Sequence, residues 1–460
     1  MNPVTLYNLQ SVDLSEKRVL VVGLGKSGVA SALFLKSRGA QVTVSDSKPS
    51  DQLQEEIPLL LDQGIAVETG GHGERTFRGQ DLIVVSPGVP VDARPLVQAR
   101  ALGEEVIGEI ELASQFFPGT IVAITGSNGK TTTTTLAGEV ATAGGIRALV
   151  GGNIGTPAVS LVGEASLETV IVLEVSSFQL ETIQTFRPKI AVILNITPDH
   201  LDRHRTFAAY VDAKARIFEN QNPSDFSVLN ADDPTCVELA QRTKGQVIWF
   251  SRKKEVSRGA FVHDGRIMFR NPKSEQEIML VSEIPLKGAH NVENVLAGVC
   301  VGRLLDCPPN RIQEAVRNFK AVEHRIEYVA TLRGVEYYND SKATNVDATI
   351  KALESFPANI HLILGGKDKD SDYTQLNQLL RERVKQVYTI GTAADKIESQ
   401  IRGAAKLVHS ETLEKAIKQA AAVAQSGDVV LLAPACASFD QFRNYQHRGQ
   451  VFKNTVRSLS

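Results

Sequence analysis

Two glycine-rich turns constrain this chain more than any other feature, because each lies between an apolar run and a helical stretch. Gly23-Leu24-Gly25-Lys26-Ser27-Gly28 follows RVLVV, and Thr125-Gly126-Ser127-Asn128-Gly129-Lys130-Thr131 follows TIVAI and opens a threonine-rich stretch. A strand that passes through glycines into a helix opens a βαβ unit, and repeated units build parallel sheets with helices on both faces. The text keeps that rhythm. QVTVSD and DLIVVSPGVP continue the first set, ETVIVLEVSS, KIAVILNITPDH and SDFSVLNADD the second, and VEYYND, IHLILGGKDK, VKQVYTIG, AKLVHS and DVVLLAPACAS form a third. The expected architecture is α/β in three domains, each with a mostly parallel, doubly wound sheet. The first is Rossmann-like over 1–108, the central one P-loop ATPase-like over 109–321, and the last Rossmann-like over 322–460. GAFVHDGRIMF, with Asp264-Gly265 at its centre, predicts a hairpin, and HNVENVLAGVCVGRLL predicts a helix after it.

Length permits this, since 460 residues at about 150 per domain hold about three cores. Hydrophobic residues at 42% and charged residues at 22% give the balance of a globular chain. Lys plus Arg number 50 against 52 for Asp plus Glu, so no bulk positive field exists to hold nucleic acid or an anionic membrane. Anions must be met by local groups. The opening MNPVTLYNLQSVDLSEKRVL lacks the basic start and long apolar stretch of an export signal. No run approaches the ~20 apolar residues of a membrane helix, and a cytoplasmic chain is expected. Cys236, Cys300, Cys307 and Cys436 show no CxxC pairing, which predicts buried thiols without a zinc site or disulfide framework.

The first turn, with Asp46 ending the next strand, matches the dinucleotide fingerprint in spacing and context. By itself it is compatible with a nicotinamide enzyme, with any other diphosphate, or with a tight turn alone, since all that the physics asks is close backbone approach and a helix N-terminus. The second turn is a shortened phosphate loop, GxxGK[ST], with Ile124 where the longer form has its first glycine. Backbone N–H groups of Gly126, Ser127, Asn128 and Gly129 would cradle phosphates, continuing into Thr132; Lys130 would neutralise them, and Thr131 would offer a hydroxyl to Mg²⁺. Glu174 after VIVL and His200 in NITPDH stand at the ends of following strands, where a doubly wound sheet gathers its functional groups. His200, Asp199 and Asp202 also read as surface or capping residues.

In order along the chain, TGSNGKTTT, GGNIG, LEVSSFQLE, NITPDHLDRH, DAKARIF, GAHNVENVLA, HRIE, NDSKATN and PACASFDQFRNYQHRG resemble the Mur ligase family over nearly the whole length. NDSKATN with PACASFDQF resembles the branch that adds D-glutamate, and the DNPR motif of the diamino-acid branch is missing. The resemblance implies an ATP-dependent ligase of peptidoglycan precursor synthesis. It would form the amide between UDP-N-acetylmuramoyl-L-alanine and D-glutamate through an acyl phosphate, giving ADP and phosphate. A monomer is expected. The short loop would then be the ATP site, and the first glycine loop would hold the uridine diphosphate. A different ligase of the same fold, such as a folylpolyglutamate synthase, is the nearest alternative, and it would lack that first domain.

The resemblance also carries roles to particular residues. Lys130, His200 and Lys214 would be catalytic. Lys214, in YVDAKARIF, matches a lysine that the family modifies with CO₂, although the residue alone reads as a solvated helix lysine. Two Mg²⁺ sites are implied, one on Thr131 and Glu174, the other on His200 and the Lys214 carbamate. Asn294, Arg325 and Asp340 resemble residues that grip ATP; alone they read as a helix-interior amide and a domain-border ion pair. For D-glutamate the matching positions are Lys342, Thr344, Lys369, Ser438 and Phe439, where lysines suit a ligand with two carboxylates. Ser438 could otherwise cap the last helix, and Lys369 could simply be solvated. For the sugar nucleotide they are Lys26, Ser27, Asp46, Ser47, Lys48, Ser86 and Asn153, with Lys26 and Lys48 standing where the usual pattern prefers other residues. A site shared by three domains implies closure around the substrates.

Overall fold

A computed structural model describes residues 13–320 and 322–459. The reading of the first twelve residues as free of an export signal lies outside the described residues, as do the expected segment ends at 1, 321 and 460. Three sheets follow one another along the chain. The first has five parallel strands in the order Ala66–Glu68, Gln41–Ser45, Arg18–Val22, Leu82–Val85, Val106–Gly108. Its central strands are near-continuous apolar runs because both faces are covered. Val19 and Val21 pack with Leu35 of the helix Lys26–Ser37, while Leu20 and Val22 pack with Leu96 and Ala99 of Arg94–Ala101.

The second sheet has nine strands, with Thr120–Thr125 flanked in parallel by Val170–Glu174 and Ile190–Ile193. The phosphate loop, Glu174 and Asn195 therefore sit at neighbouring carboxyl ends, on one side of one sheet. At its far edge Gly259–His263, Arg266–Asn271 and Ser274–Leu280 run antiparallel. Asp264 and Gly265 form the expected two-residue turn, both left-handed at φ 46° and 72°. The third sheet has six strands, with Val429–Leu432 between Val335–Asn339 and Ile360–Gly365 in parallel and Glu327–Leu332 antiparallel at the edge. All four cysteines are buried and unpaired, as expected.

Two buried ionic side chains set how the pieces hold together. Glu111, on the short helix Glu109–Ser114 that leaves the first sheet, is 0% exposed and accepts from Gln184 N, Thr185 N, Thr185 Oγ1 and Phe186 N at 2.5–2.9 Å. It bolts the connector to the second sheet's flank. Arg448, also 0% exposed, donates to Ser341 Oγ and O and to the carbonyls of Cys436 and Ala437, tying two loops at the carboxyl ends of the third sheet. Removing Glu111 would strand several buried donors at once. Glu111→Ala is expected to lower stability by about 3 kcal/mol, read by chemical denaturation; a change below about 0.5 kcal/mol would refute the bolt.

Candidate functional site

The phosphate loop is shaped by two left-handed glycines, Gly126 at φ 150° and Gly129 at φ 83°. A Cβ on Gly129 would meet Asn294 Oδ1 at 2.2 Å, so conformation and packing both demand glycine there. Asn195 brackets the loop, accepting the Asn128 N–H at 2.9 Å and donating to its carbonyl at 3.2 Å. Lys130 Nζ lies within the turn, donating to Gly126 O and Ser127 O at 2.7 and 2.8 Å. Burial brings its pKa down to about 8, against the pull of Glu174. A partly desolvated cation in a ring of amides is suited to a polyphosphate.

Thr131 Oγ1 donates to Glu174 Oε2 at 2.7 Å, and Asn153 Nδ2 donates to Glu174 Oε1 at 2.8 Å. Glu174 is 1% exposed, so these hard oxygens converge inside the protein. Asn153, expected beside the sugar nucleotide, thus also touches the residue expected to hold a metal. His200 caps the helix Leu201–His204 in a left-handed conformation, φ 55°, and rests edge-on against Phe178. Burial lowers its pKa to about 4 and leaves a neutral imidazole, the form that ligates metals. Burial acts upward on Asp199, but Lys369 at 3.0 Å, His200 and the Asn345 amide outweigh it and hold this carboxylate well ionised.

Lys214 is not the solvated lysine its residue type suggests. It stands four positions after buried Tyr210 on the helix Phe207–Ala215, so it shares that inward face and is 1% exposed. Its Nζ donates to Gly126 O at 2.9 Å and lies 4.6 Å from the Tyr210 ring centroid. Burial, then the nearby Lys130 charge, push its pKa well below the usual lysine value. Among the described residues, the groups of acids and histidines with metal-ligand spacing are Glu323-His324-Glu327 and Asp395-Glu398-His409. Neither contains Glu174 or His200, and Lys453 already pairs with Glu323 and Glu327.

Between the second and third sheets lies a cavity whose walls include Asn128, Asn294, Arg325 and Asp340. Leu286, Val322, Ile326 and Ala348 give it apolar walls, and His290 and Asn291 add polar edges. Sequence reasoning did not single out these six as ligands; the quoted GAHNVENVLA contained His290 and Asn291, and HRIE contained Ile326. Burial brings His290 to about 3, leaving it neutral. Arg325 Nε is buried without a hydrogen-bond partner, while Nη2 reaches Thr131 Oγ1 at 3.4 Å. The expected Arg325-Asp340 pairing is seen as field rather than contact. Burial raises Asp340 to about 7, Arg325 opposes this, and the carboxylate accepts the Ile326 N–H at 3.3 Å.

In the first sheet, Ser86 Oγ donates to Gly23 O at 2.9 Å, and Asp46 accepts the N–H groups of Leu24 and Lys48 at 2.6 and 2.8 Å. One Asp46 oxygen thus holds the glycine loop and the other its own turn, which weakens the nicotinamide reading. A Cβ on Gly28 would strike Gly23 O at 1.8 Å, whereas one on Gly25 meets nothing within 4 Å. The open side of the turn is where a diphosphate could approach. Lys26, Ser47 and Lys48 are exposed and Ser27 half-buried beside it. Arg203 Nη2 donates to Val89 O at 3.1 Å and Arg205 pairs with Asp92 at 3.2 Å, linking this region to the His200 helix.

At the third sheet, Lys342 lies 4.0 Å from the Tyr445 ring centroid, and burial brings it to about 8. Thr344 follows two residues on, half-buried. Lys369 pairs with Asp199 and so is not simply solvated. Backbone bonds between Lys367 and Ala437 join its loop to the one bearing Ser438, which is 2% exposed, and Phe439, which is 68% exposed. Ser438 does not cap the last helix; Asn444 does, accepting from His447 N.

Three α/β sheets in succession, with a short phosphate loop on the second and lysines of the second and third around it, define a multidomain phosphate-loop protein. Residues 17–108 match the Mur ligase MurD-like N-terminal domain, 124–302 the Mur ligase middle domain, and 324–436 the Mur ligase glutamate ligase domain. The chain belongs to the Mur ligase family. It is 66% identical to UDP-N-acetylmuramoylalanine-D-glutamate ligase of Koribacter versatilis, over 98% of this chain and 99% of that one. It is 58% identical to the protein of the same name from Acidobacterium capsulatum, over 97% of each. In fold it is similar to a pseudomurein peptide ligase of Methanothermus fervidus, at TM-score 0.62 and 19% identity, over 97% of this chain and 100% of that one. It is also similar to a MurF ligase of Thermotoga maritima solved with ADP, at TM-score 0.61 and 18% identity, over 98% and 97%.

The raised pKa of Asp340 gives a test of the cavity's electrostatics. An acid whose folded pKa is about 7 against 3.8 unfolded favours folding fully at acid pH, and that contribution is lost as pH rises through 7. Asp340→Asn should therefore gain stability relative to the unsubstituted protein by about 2 kcal/mol between pH 5 and pH 8, measured by urea unfolding. Parallel pH profiles for the two proteins would contradict the assignment.

Proposed function

We propose that this protein is an ATP-dependent ligase that joins D-glutamate to UDP-N-acetylmuramoyl-L-alanine, releasing ADP and phosphate, in peptidoglycan precursor synthesis. One observation carries the reading. Whole-length relatives at 66% and 58% identity bear that name, and in this chain Asp340 and Ala343 of the NDSKATN loop share a pocket wall with Asn128 and Gly129 of the phosphate loop. The chemistry needs two steps. A carboxylate oxygen of the sugar-linked alanine attacks the γ-phosphorus and the bond to ADP breaks. The D-glutamate nitrogen then attacks the carbonyl carbon, the bond to phosphate breaks, and a proton leaves the nitrogen.

Positioning and charge govern both steps. Gly126, Ser127, Asn128, Gly129 and Thr132 would hold the ATP phosphates, with Lys130 on the transferring group and the free Arg325 Nε beside it. Asn294 and Asp340 would fix the nucleoside in the cavity. Lys26, Ser27, Ser86 and the residues around Asp46 would hold the uridine diphosphate, with Ser47, Lys48 and Asn153 at its edges. Lys342, Thr344, Lys369, Ser438 and Phe439 would hold D-glutamate, the lysines facing its carboxylates. Closure of the three sheets excludes water, which would otherwise hydrolyse the acyl phosphate.

Mg²⁺, when bound, would supply charge neutralisation at the reacting oxygens. Thr131 and Glu174 fit it as converging buried oxygens, and neutral His200 fits a second ion. As an amine Lys214 fits no cation. Its lowered pKa favours the free base, which would add CO₂, with loss of a proton, to give an anionic oxygen ligand. The residues assigned to all three substrates come from one chain, so we read the protein as a monomer. We place the unit borders at 108/109 and 321/322, and the reaction in the cytoplasm with ATP; no described helix is long and apolar enough to cross a membrane.

The decisive assay supplies UDP-N-acetylmuramoyl-L-alanine, ATP and a panel of amino acids and measures phosphate release. D-Glutamate should be preferred strongly, and preference for another amino acid would end the substrate assignment. Lys130→Ala should lower kcat at least ~10³-fold. Lys214→Ala should be inactive and regain activity with added formate or acetate; failure of every short carboxylate to rescue it would remove the carbamate from the account.

A further inference from the structure

The seam between the second and third sheets is closed by a few polar contacts beside the phosphate loop. The helix Val346–Glu354 begins there, capped by Asn345, whose Oδ1 accepts the Ala348 N–H while its Nδ2 donates to Asp199 at 2.9 Å. Asp347, in the first turn, reaches further. Its Oδ2 accepts from Asn128 Nδ2 at 2.5 Å, Thr197 Oγ1 at 3.2 Å and Lys351 Nζ at 2.9 Å. Asn128 belongs to the phosphate loop, and Thr197 to the loop that leads to His200. The two loops are already stitched together, since Ser127 Oγ donates to Thr197 O and accepts the Thr197 N–H, both at 2.9 Å.

We propose that Asp347 is a positioning residue that couples the phosphate loop to closure of the third sheet, by holding the Asn128 amide and the Thr197 hydroxyl from across the seam. The proposal rests on the reading of that loop as the nucleotide site. Asn195 pins the Asn128 backbone from both sides, so the direction of the Asn128 side chain is set by the partner at its tip. Asn128, Asn195 and Lys351 all line the nucleotide cavity, so the latch is built into the cavity wall. A carboxylate next to an anion-binding loop repels the ligand unless its charge is met. Lys351, one helical turn on, meets it.

Hydrogen bonds to a carboxylate are the stronger class, and two of them cross the seam. Without them the closed arrangement is less populated, and apparent nucleotide affinity falls by the same fraction. Asn128 is held for binding but touches the third sheet through Asp347, so the effect of losing Asp347 should fall on nucleotide binding. The sugar-nucleotide loop lies on the first sheet and should not register it.

The test measures ADP binding by calorimetry and steady-state kinetics on the full chain. Asp347→Ala should weaken ADP binding and raise KM for ATP about tenfold, with KM for the sugar nucleotide unchanged. Asp347→Asn keeps an acceptor oxygen for Asn128 and Thr197 and should recover most of the loss. Unchanged ADP affinity in Asp347→Ala, with or without a lower melting temperature, would overturn the proposal, as would an Asn variant no better than the Ala variant. Because ADP binding needs no turnover, a wild-type protein that binds ADP yet releases no phosphate from ATP would defeat the proposed activity alone. Absence of ADP binding by the wild-type protein would defeat both.

Discussion

The turn from Thr125 to Lys130 is the constraint on which the rest of this structure depends. Gly126 and Gly129 adopt left-handed angles that let a strand end become a helix start within a few residues. The turn cannot be padded. Asn294 fills the space beside Gly129, Asn195 brackets Asn128, and Lys130 and Lys214 both donate to Gly126 O. Parallel pairing with Val170–Glu174 and Ile190–Ile193 then brings Glu174 and the His200 loop to the same side.

Charge is concentrated here in a way that only anions can relieve. Lys130, Lys214 and Lys342 are all desolvated enough to lower their pKa values, and Lys130 and Lys342 also feel Arg325. Two carboxylates, Glu174 and Asp199, offset part of this. Arg325 keeps a buried donor without a partner. A folded protein tolerates such a cluster at a cost, and an anion bound there would lower it. The seam contacts from Asn345, Asp347 and Lys369 lie beside the same cluster.

The fold was largely legible because its cause is local. Apolar runs such as RVLVV and TIVAI, buried on both faces, and glycines at the strand ends leave few alternatives to a doubly wound sheet, and Asp264-Gly265 marked its own hairpin. The antiparallel edge of the second sheet was legible only in that one turn. The site was legible where a motif carries its chemistry in consecutive residues. Lys130 and Thr131 sit where the loop pattern puts them, and Glu174 meets Thr131 as the strand order requires. Lys214 was not readable in that way: its inward direction follows from sharing a helix face with Tyr210, and a lysine on a short helix gives no such sign by itself.

By itself the sequence determined the three mostly parallel sheets, the two glycine turns and the residues at their strand ends, because backbone conformation and strand burial are encoded within a few residues of where they act. Only the tertiary structure decided which of those residues meet. Asn128 and Asp347 lie 219 positions apart, Arg325 and Thr131 lie 194 apart, and Asp199 and Lys369 lie 170 apart. Contacts of that separation depend on how whole sheets dock, and docking is set by summed surface packing and long-range charge, which no local pattern records.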